Sequence, residues 1–125
     1  KLGYLSSSKR YKKDISDMEN VDWLYELHPI NYVYRNDDSK VRQYGLIAEE
    51  VEQVNPLFVS YNETGSPETV MYSKLISPMV KALQEQEKEK AEMKAEIESL
   101  KSENKQLKAR VARIELQVQS SVKNE

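Results

Sequence analysis

Ser7 and Lys12 stand five residues apart in a stretch that also carries Ser6, Ser8, Lys9, Arg10 and Lys13. A serine hydroxyl is a poor nucleophile until a base takes its proton, and a lysine can be that base once its own ammonium has lost one. Burial, or crowding by cations such as Lys9, Arg10 and Lys13, favours the neutral amine. Spacing is the difficulty. In an extended strand five residues cover about 16 Å and leave the two side chains on opposite faces. They meet only if the segment bends or if a neighbouring chain contributes one of them. Taken alone, a Ser-x4-Lys spacing does not establish catalysis, and the generic reading of residues 1–13 is a solvated or flexible lead-in.

Other chemistry is excluded quickly. The chain has no cysteine and a single histidine, His28, so there is no thiolate nucleophile, disulfide framework or ligand cluster for a metal. No glycine-rich phosphate loop and no G-x-S-x-G elbow occur, and no cofactor or metal is expected. A formal net charge of −2 provides no broad electropositive field for nucleic acid. No apolar run approaches the ~20 residues of a membrane span, and no signal-peptide hydrophobic run opens the chain. A soluble protein without nucleic-acid or membrane partners is expected, and from its abrupt start the chain is expected to be a piece of something longer.

The elements that must position Ser7 and Lys12 come next. Val21, Leu24 and Leu27, with Trp23 beside them and acidic Asp17 and Glu19 ahead, predict a short helix that His28-Pro29 stops. Ile30, Tyr32 and Tyr34 alternate with Asn31, Val33 and Arg35 as a strand, Asn36-Asp37-Asp38-Ser39 is its turn, and residues 41–44 are the return strand. Ile47, Val51 and Val54 share one face of a helix over residues 46–54, ended by Asn55-Pro56. Residues 57–61 and 69–72 predict a second hairpin around the turn-forming loop 62–67. The Asn62-Glu63-Thr64 sequon reads as part of that turn. Trp23, Tyr32 and Tyr34 are expected in the core, Glu49 and Glu50 on a solvated helix face, and His28 in a structural role.

Beyond Ser73, the expected N-cap, comes a long helix in which Pro78 lies near enough to the start to cost little hydrogen bonding. Ile76, Met79, Leu83, Met93, Ile97, Leu100, Asn104, Leu107, Val111, Ile114 and Val118 fall on one alternation of three and four residues, the a/d seam of a coiled coil, with Gln86 and Lys90 as polar interruptions. From Ile76 to Val118 such a helix extends roughly 64 Å. Its flanks are charged nearly throughout, so a lone copy has only a narrow stripe to bury and needs sister helices. The number of strands is argued from competing signals. Asn104 at an a position suits two strands, and Ile114 at d does not. Arg110 at g and Glu115 at e, flanking Val111 and Ile114, resemble the Arg-h-x-x-h-Glu signature of trimeric coiled coils, in which the arginine pairs with the glutamate of the next chain. Three strands are therefore favoured. Apolar content of 38% and charge of 32% depart from globular averages in the direction a coiled coil imposes. The roughly 75 residues outside it lie near the lower limit for an independent core, so oligomerisation is the remaining support.

Four blocks in order now stand out: Ser7-Ser8-Lys9-Arg10-Tyr11-Lys12-Lys13-Asp14-Ile15; Leu24-Tyr25-Glu26-Leu27-His28-Pro29-Ile30-Asn31-Tyr32-Val33-Tyr34; Gly45-Leu46-Ile47-Ala48-Glu49-Glu50-Val51 with Pro56; and Tyr72-Ser73-Lys74-Leu75-Ile76 leading into the coiled coil. Together they resemble the C-terminal intramolecular chaperone domain of bacteriophage tail spikes, tail fibres and neck appendages. This is the S74 peptidase family, which also includes endosialidase tailspikes and the myelin regulatory factor. The resemblance implies a homotrimer that templates folding of a long β-stranded fibre upstream in the same polypeptide and then cuts itself away. It assigns the nucleophile to Ser7, its partner to Lys12 and the scissile bond to Ser6–Ser7, with Ser8 and Lys13 as the second register. Six residues precede Ser7, so the bond is expected to be uncut in the chain as written. Two positions depart from the family pattern: Ser8 follows the nucleophile where aspartate is usual, and Gln43 stands near the place where many members have histidine.

The expected fold is α+β: a small globular part of short helices and β-hairpins, followed by a long C-terminal helix forming a trimeric coiled coil. Residues 1–6 are an upstream fibre or linker remnant, 7–72 the globular chaperone part and 73–125 the coiled-coil helix. The expected function is that of a single-turnover, self-cleaving Ser/Lys peptidase acting as chaperone. It would belong to a virion protein precursor folded in the host cytoplasm and be released after cleavage. The alternatives are a non-catalytic trimerisation or adaptor module of the same fold, and a coiled-coil regulator in which residues 9–13 are a nuclear-localisation or nucleic-acid tag.

Overall fold

The computed structural model describes residues 6–124, so nearly all of the expected 1–6 remnant, and Glu125, lie outside the described residues. The chain divides into two compact units, Lys1–Ala82 and Leu83–Glu125. The first is α+β. Its elements are β1 (Ile30–Tyr32), β2 (Gln43–Gly45), α1 (Ala48–Val54), β3 (Val59–Tyr61) and β4 (Pro67–Val70), with 3-10 turns at Lys9–Tyr11, Asp22–Glu26, Pro56–Phe58 and Tyr72–Leu75. A final helix, α2 (Ile76–Lys123), starts in the first unit and makes up nearly all of the second.

Both hairpins form, but the strands are shorter than the alternation predicts. In the first, Ile30 pairs with Gly45, Asn31 with Tyr44 and Tyr32 with Gln43. Tyr34 lies beyond the strand, and the return strand includes Gly45, which was expected to follow it. The reason is contact: a Cβ at Gly45 would lie 2.7 Å from the Tyr72 hydroxyl and 3.2 Å from the Tyr32 ring. Only glycine lets β2 run that close. The Tyr72 hydroxyl accepts from the Leu46 amide at 2.9 Å, so the first residue of the 3-10 turn that leads into α2 is bonded to the residue just after β2. In the second hairpin Val59 pairs with Val70, Ser60 with Thr69 and Tyr61 with Pro67, with a bulge between Ser60 and Tyr61. Pro67 has no N–H to give, and a bulge is the usual accommodation.

The loop between β3 and β4 is a side-chain-organised turn. Asn62 Oδ1 accepts from the Thr64 amide at 3.0 Å, the Thr64 hydroxyl at 2.7 Å and the Ser66 amide at 3.0 Å, and Gly65 takes φ +83°.

Three local expectations are corrected. The helix expected to begin near Asp17 is only a 3-10 turn, Asp22–Glu26, whose amide–carbonyl bonds run Leu24 to Val21 and Leu27 to Leu24. A spacing of exactly three between Val21, Leu24 and Leu27 matches the three-residue period of a 3-10 helix better than 3.6. The lead-in is not featureless, since it contains the turn Lys9–Tyr11. Ser73 is not the N-cap of the long helix; it lies inside the 3-10 turn Tyr72–Leu75, and its carbonyl accepts from the Ile76 amide. Pro78, the third residue of α2, is buried, where a missing N–H breaks no intrahelical bond.

The core is small. Val51, Val59, Val70 and Leu75 are buried together, with Trp23, Leu24, Leu27, Leu46, Ala48 and Phe58 packed around them. Trp23 stacks at a tilt on Phe58, ring centroids 4.9 Å apart. One residue from each of α1, β3, β4 and the turn before α2 thus meets at a single point, which fixes the second hairpin, α1 and the helix start to each other.

Candidate functional site

Ser8 has extended backbone (φ −65°, ψ 142°) and its hydroxyl accepts from the Arg10 amide at 3.4 Å. The Tyr11 amide then donates to the Ser8 carbonyl at 3.0 Å and the Lys12 amide to that of Lys9 at 3.1 Å. A 3-10 turn advances about 2 Å per residue against about 3.3 Å in a strand, so the chain doubles back. Lys12 Nζ donates to Ser7 Oγ at 2.7 Å. The bend that the Ser-x4-Lys spacing requires is therefore present within one chain. Arg10 lies over the Tyr11 ring, 4.7 Å from its centroid, and Asp14, in the left-handed region at φ 54°, redirects the chain after the turn.

Residues 7–60 match the family model of peptidase S74, described as the chaperone of endosialidase. A search of curated proteins finds no match. The S74 segment takes in the Ser7–Lys12 turn, the first hairpin, α1 and the first β3 residues.

Ser7, Ser8 and Lys12 within the S74 segment, and Ser6 just ahead of it, are all exposed. Of the two registers, Ser7 with Lys12 is in direct contact, whereas the Ser8 hydroxyl faces the Arg10 amide. Ser6, on the acyl side of the expected scissile bond, is the first described residue. Gln43 is in β2, paired with Tyr32.

Other side chains of the first unit form contacts that single-sequence reasoning missed. His28 Nδ1 lies 3.5 Å from Glu50, joining the segment before β1 to α1. The two residues fall in different sequence blocks, and nothing local signals their meeting. Tyr32 and Tyr34 are in edge-on contact with their hydroxyls 3.0 Å apart. That hydrogen bond, with partial desolvation, raises the Tyr32 pKa above the ordinary phenol range. Both line an open cleft with Ile30, Arg35, Leu46 and Tyr72. No group of three potential metal ligands occurs among the described residues, and no helix there is long and apolar enough to cross a membrane.

The seam residues are carried by α2 and are all exposed. Ile76, Met79, Leu83, Met93, Ile97, Leu100, Leu107, Val111, Ile114 and Val118 each keep between 49% and 64% of their surface open. Ile97, Leu100, Asn104 and Leu107 border one shallow groove, which places them on one face. Arg110 borders another with Ile114, and Glu115 is one residue further along. Lys101 pairs with Glu98 at 3.7 Å on the charged flank.

Proposed function

We propose that this chain is an intramolecular chaperone: three copies associate through α2, hold three upstream β-rich fibre or spike segments in register while these fold, and then release themselves by cutting between Ser6 and Ser7. The observation that carries the catalytic part is the 2.7 Å contact between Lys12 Nζ and Ser7 Oγ. The match of residues 7–60 to a family described as a chaperone supports the folding part.

The chemistry follows from where the hydroxyl is. Lys12, once neutral, takes the Ser7 Oγ proton while Oγ attacks the Ser6 carbonyl carbon through a five-membered ring. The Ser6–Ser7 C–N bond breaks, the Ser7 nitrogen leaves as an amine carrying a proton returned by Lys12, and an ester joins Ser6 to the Ser7 side chain. Water then hydrolyses that ester, leaving a carboxylate on Ser6 and a free amino terminus on Ser7. A lysine base works best where solvent is excluded, and both side chains are exposed in the single chain. Closure by neighbouring subunits supplies that exclusion, so cutting waits for assembly.

Templating has an equally physical basis. Long-range β pairing between separate chains is slow and exposes aggregation-prone edges. Tethering three chains through one coiled coil raises their effective concentration for one another. After release the fibre persists because its unfolding is slow. In this reading the precursor folds in the host cytoplasm and its product enters a phage particle as a tail fibre, spike or neck appendage.

The test is the mass of a longer precursor before and after folding. Cleavage at Ser6–Ser7 in the wild type, lost in Ser7→Ala with the oligomer intact, is the expected result. Full fibre assembly with an uncut wild type selects the non-catalytic adaptor instead.

A further inference from the structure

We infer that Ser8 is a positioning residue for the cut: its hydroxyl caps the Lys9–Tyr11 turn, and that turn carries Lys12 to Ser7. The inference rests on the self-cleavage reading above and adds a third residue to it.

Three hydrogen bonds hold the turn. Two are backbone, from the Tyr11 amide to the Ser8 carbonyl and from the Lys12 amide to the Lys9 carbonyl. The third is the Arg10 amide to the Ser8 hydroxyl. A 3-10 turn of three residues has no further helical turns to share the cost of ordering it, so the 3.4 Å cap is one of only three bonds that keep it closed. Opening the turn returns residues 7–12 toward an extended chain, in which Ser7 and Lys12 point apart. Ser8 touches neither the Ser7 hydroxyl nor the Lys12 amine in this arrangement; its influence passes through the backbone.

The chemistry of the position follows. Asparagine and aspartate place an acceptor oxygen at an N-cap as well as serine does, and alanine does not. An aspartate at this position would therefore serve as a cap, with no proton to move in the reaction.

The experiment uses the longer self-cleaving precursor and its Ser8→Ala, Ser8→Asn and Ser8→Asp variants, following cleavage by mass and trimer melting in parallel. Ser8→Ala is expected to cut about fivefold to tenfold more slowly, the factor associated with loss of a typical N-cap. Ser8→Asn and Ser8→Asp are expected to cut within about twofold of wild type, with all melting temperatures alike. Complete loss of cleavage in all three variants, with Ser7→Ala still active, overturns the inference by making Ser8 the nucleophile. An unchanged rate in Ser8→Ala overturns it too. If wild type itself does not cut, the self-cleavage reading fails and the cap is read separately, from the side-chain contact between Ser7 and Lys12 followed by NMR in the uncut trimer. That contact weakens in Ser8→Ala and returns in Ser8→Asn if the inference holds; equal contacts in all variants sink it.

Discussion

The two units differ in where their apolar residues go. In the first, Val51, Val59, Val70 and Leu75 disappear from solvent into one cluster. In the second, every residue from 86 to 124 is exposed, including each apolar member of the a/d seam there. A hydrophobic side chain that finds no partner in its own chain forgoes the burial that normally accounts for its presence. Eight in strict register within this unit, from Leu83 to Val118, are a different matter from scattered surface leucines, which need no explanation. The contrast teaches that the first unit makes its own contacts, whereas the second leaves its seam open for the association proposed above.

The sharpest way to break that contrast is to charge the seam. Ile97→Lys is expected to weaken association about a hundredfold or more, since it places an unpaired cation in each copy at the same level of the bundle. Sedimentation over a range of concentrations measures this, and an unchanged oligomer would mean that the seam is not where the copies meet. The same variant should leave the fold of residues 7–75 intact, visible in the near-ultraviolet signal of Trp23.

Gly45→Ala tests the opposite side. The added methyl would sit 2.7 Å from the Tyr72 hydroxyl, so the hairpin or the Tyr72–Leu46 bond must shift, at a cost of about 1–3 kcal/mol. Chemical denaturation measures it. The loss should appear in the first unit's transition, with association through α2 retained.

The smallest expected effect is one of pH. Asp37 Oδ1 accepts from the Ser39 hydroxyl at 2.6 Å and the Ser39 amide at 2.9 Å, and these bonds hold the Asp37 carboxyl below its usual pKa. A lowered folded-state pKa means that the contribution is present above the unfolded carboxylate pKa and is lost as pH falls through the folded one. Ser39→Ala should therefore slightly lower the stability of the first unit at neutral pH and flatten its acid limb, the two profiles converging as pH falls through the folded-state pKa of Asp37. Because Asp37 is only half-buried in a surface loop, a large effect would show that the loop has contacts beyond those described.

Legibility in the sequence follows the same division. The long helix was readable because its pattern repeats over more than ten positions, and the hairpins because Asn36-Asp37-Asp38-Ser39 and residues 62–67 are dense in turn-formers. The 3-10 turns were not, since each has too few residues for a period to emerge. Val21, Leu24 and Leu27 gave the right face but the wrong helix type. The meeting of Ser7 with Lys12 could be stated only as a requirement, because nothing in Lys9-Arg10-Tyr11 marks a turn, although Ser8 ahead of it is a capping residue type. His28 with Glu50, and Tyr72 with Leu46, join residues 22 and 26 apart. Such pairs are set by packing alone.

The second hairpin has a further consequence. Its strands are only three and four residues long, and one begins at Pro67, which has no amide hydrogen to offer, opposite a bulge that twists the ribbon. A stray β-strand alongside would find few ladder bonds to make. In the proposed role that is an advantage: a helper surrounded by unpaired fibre strands is poorly suited to being recruited into the sheets whose formation it oversees.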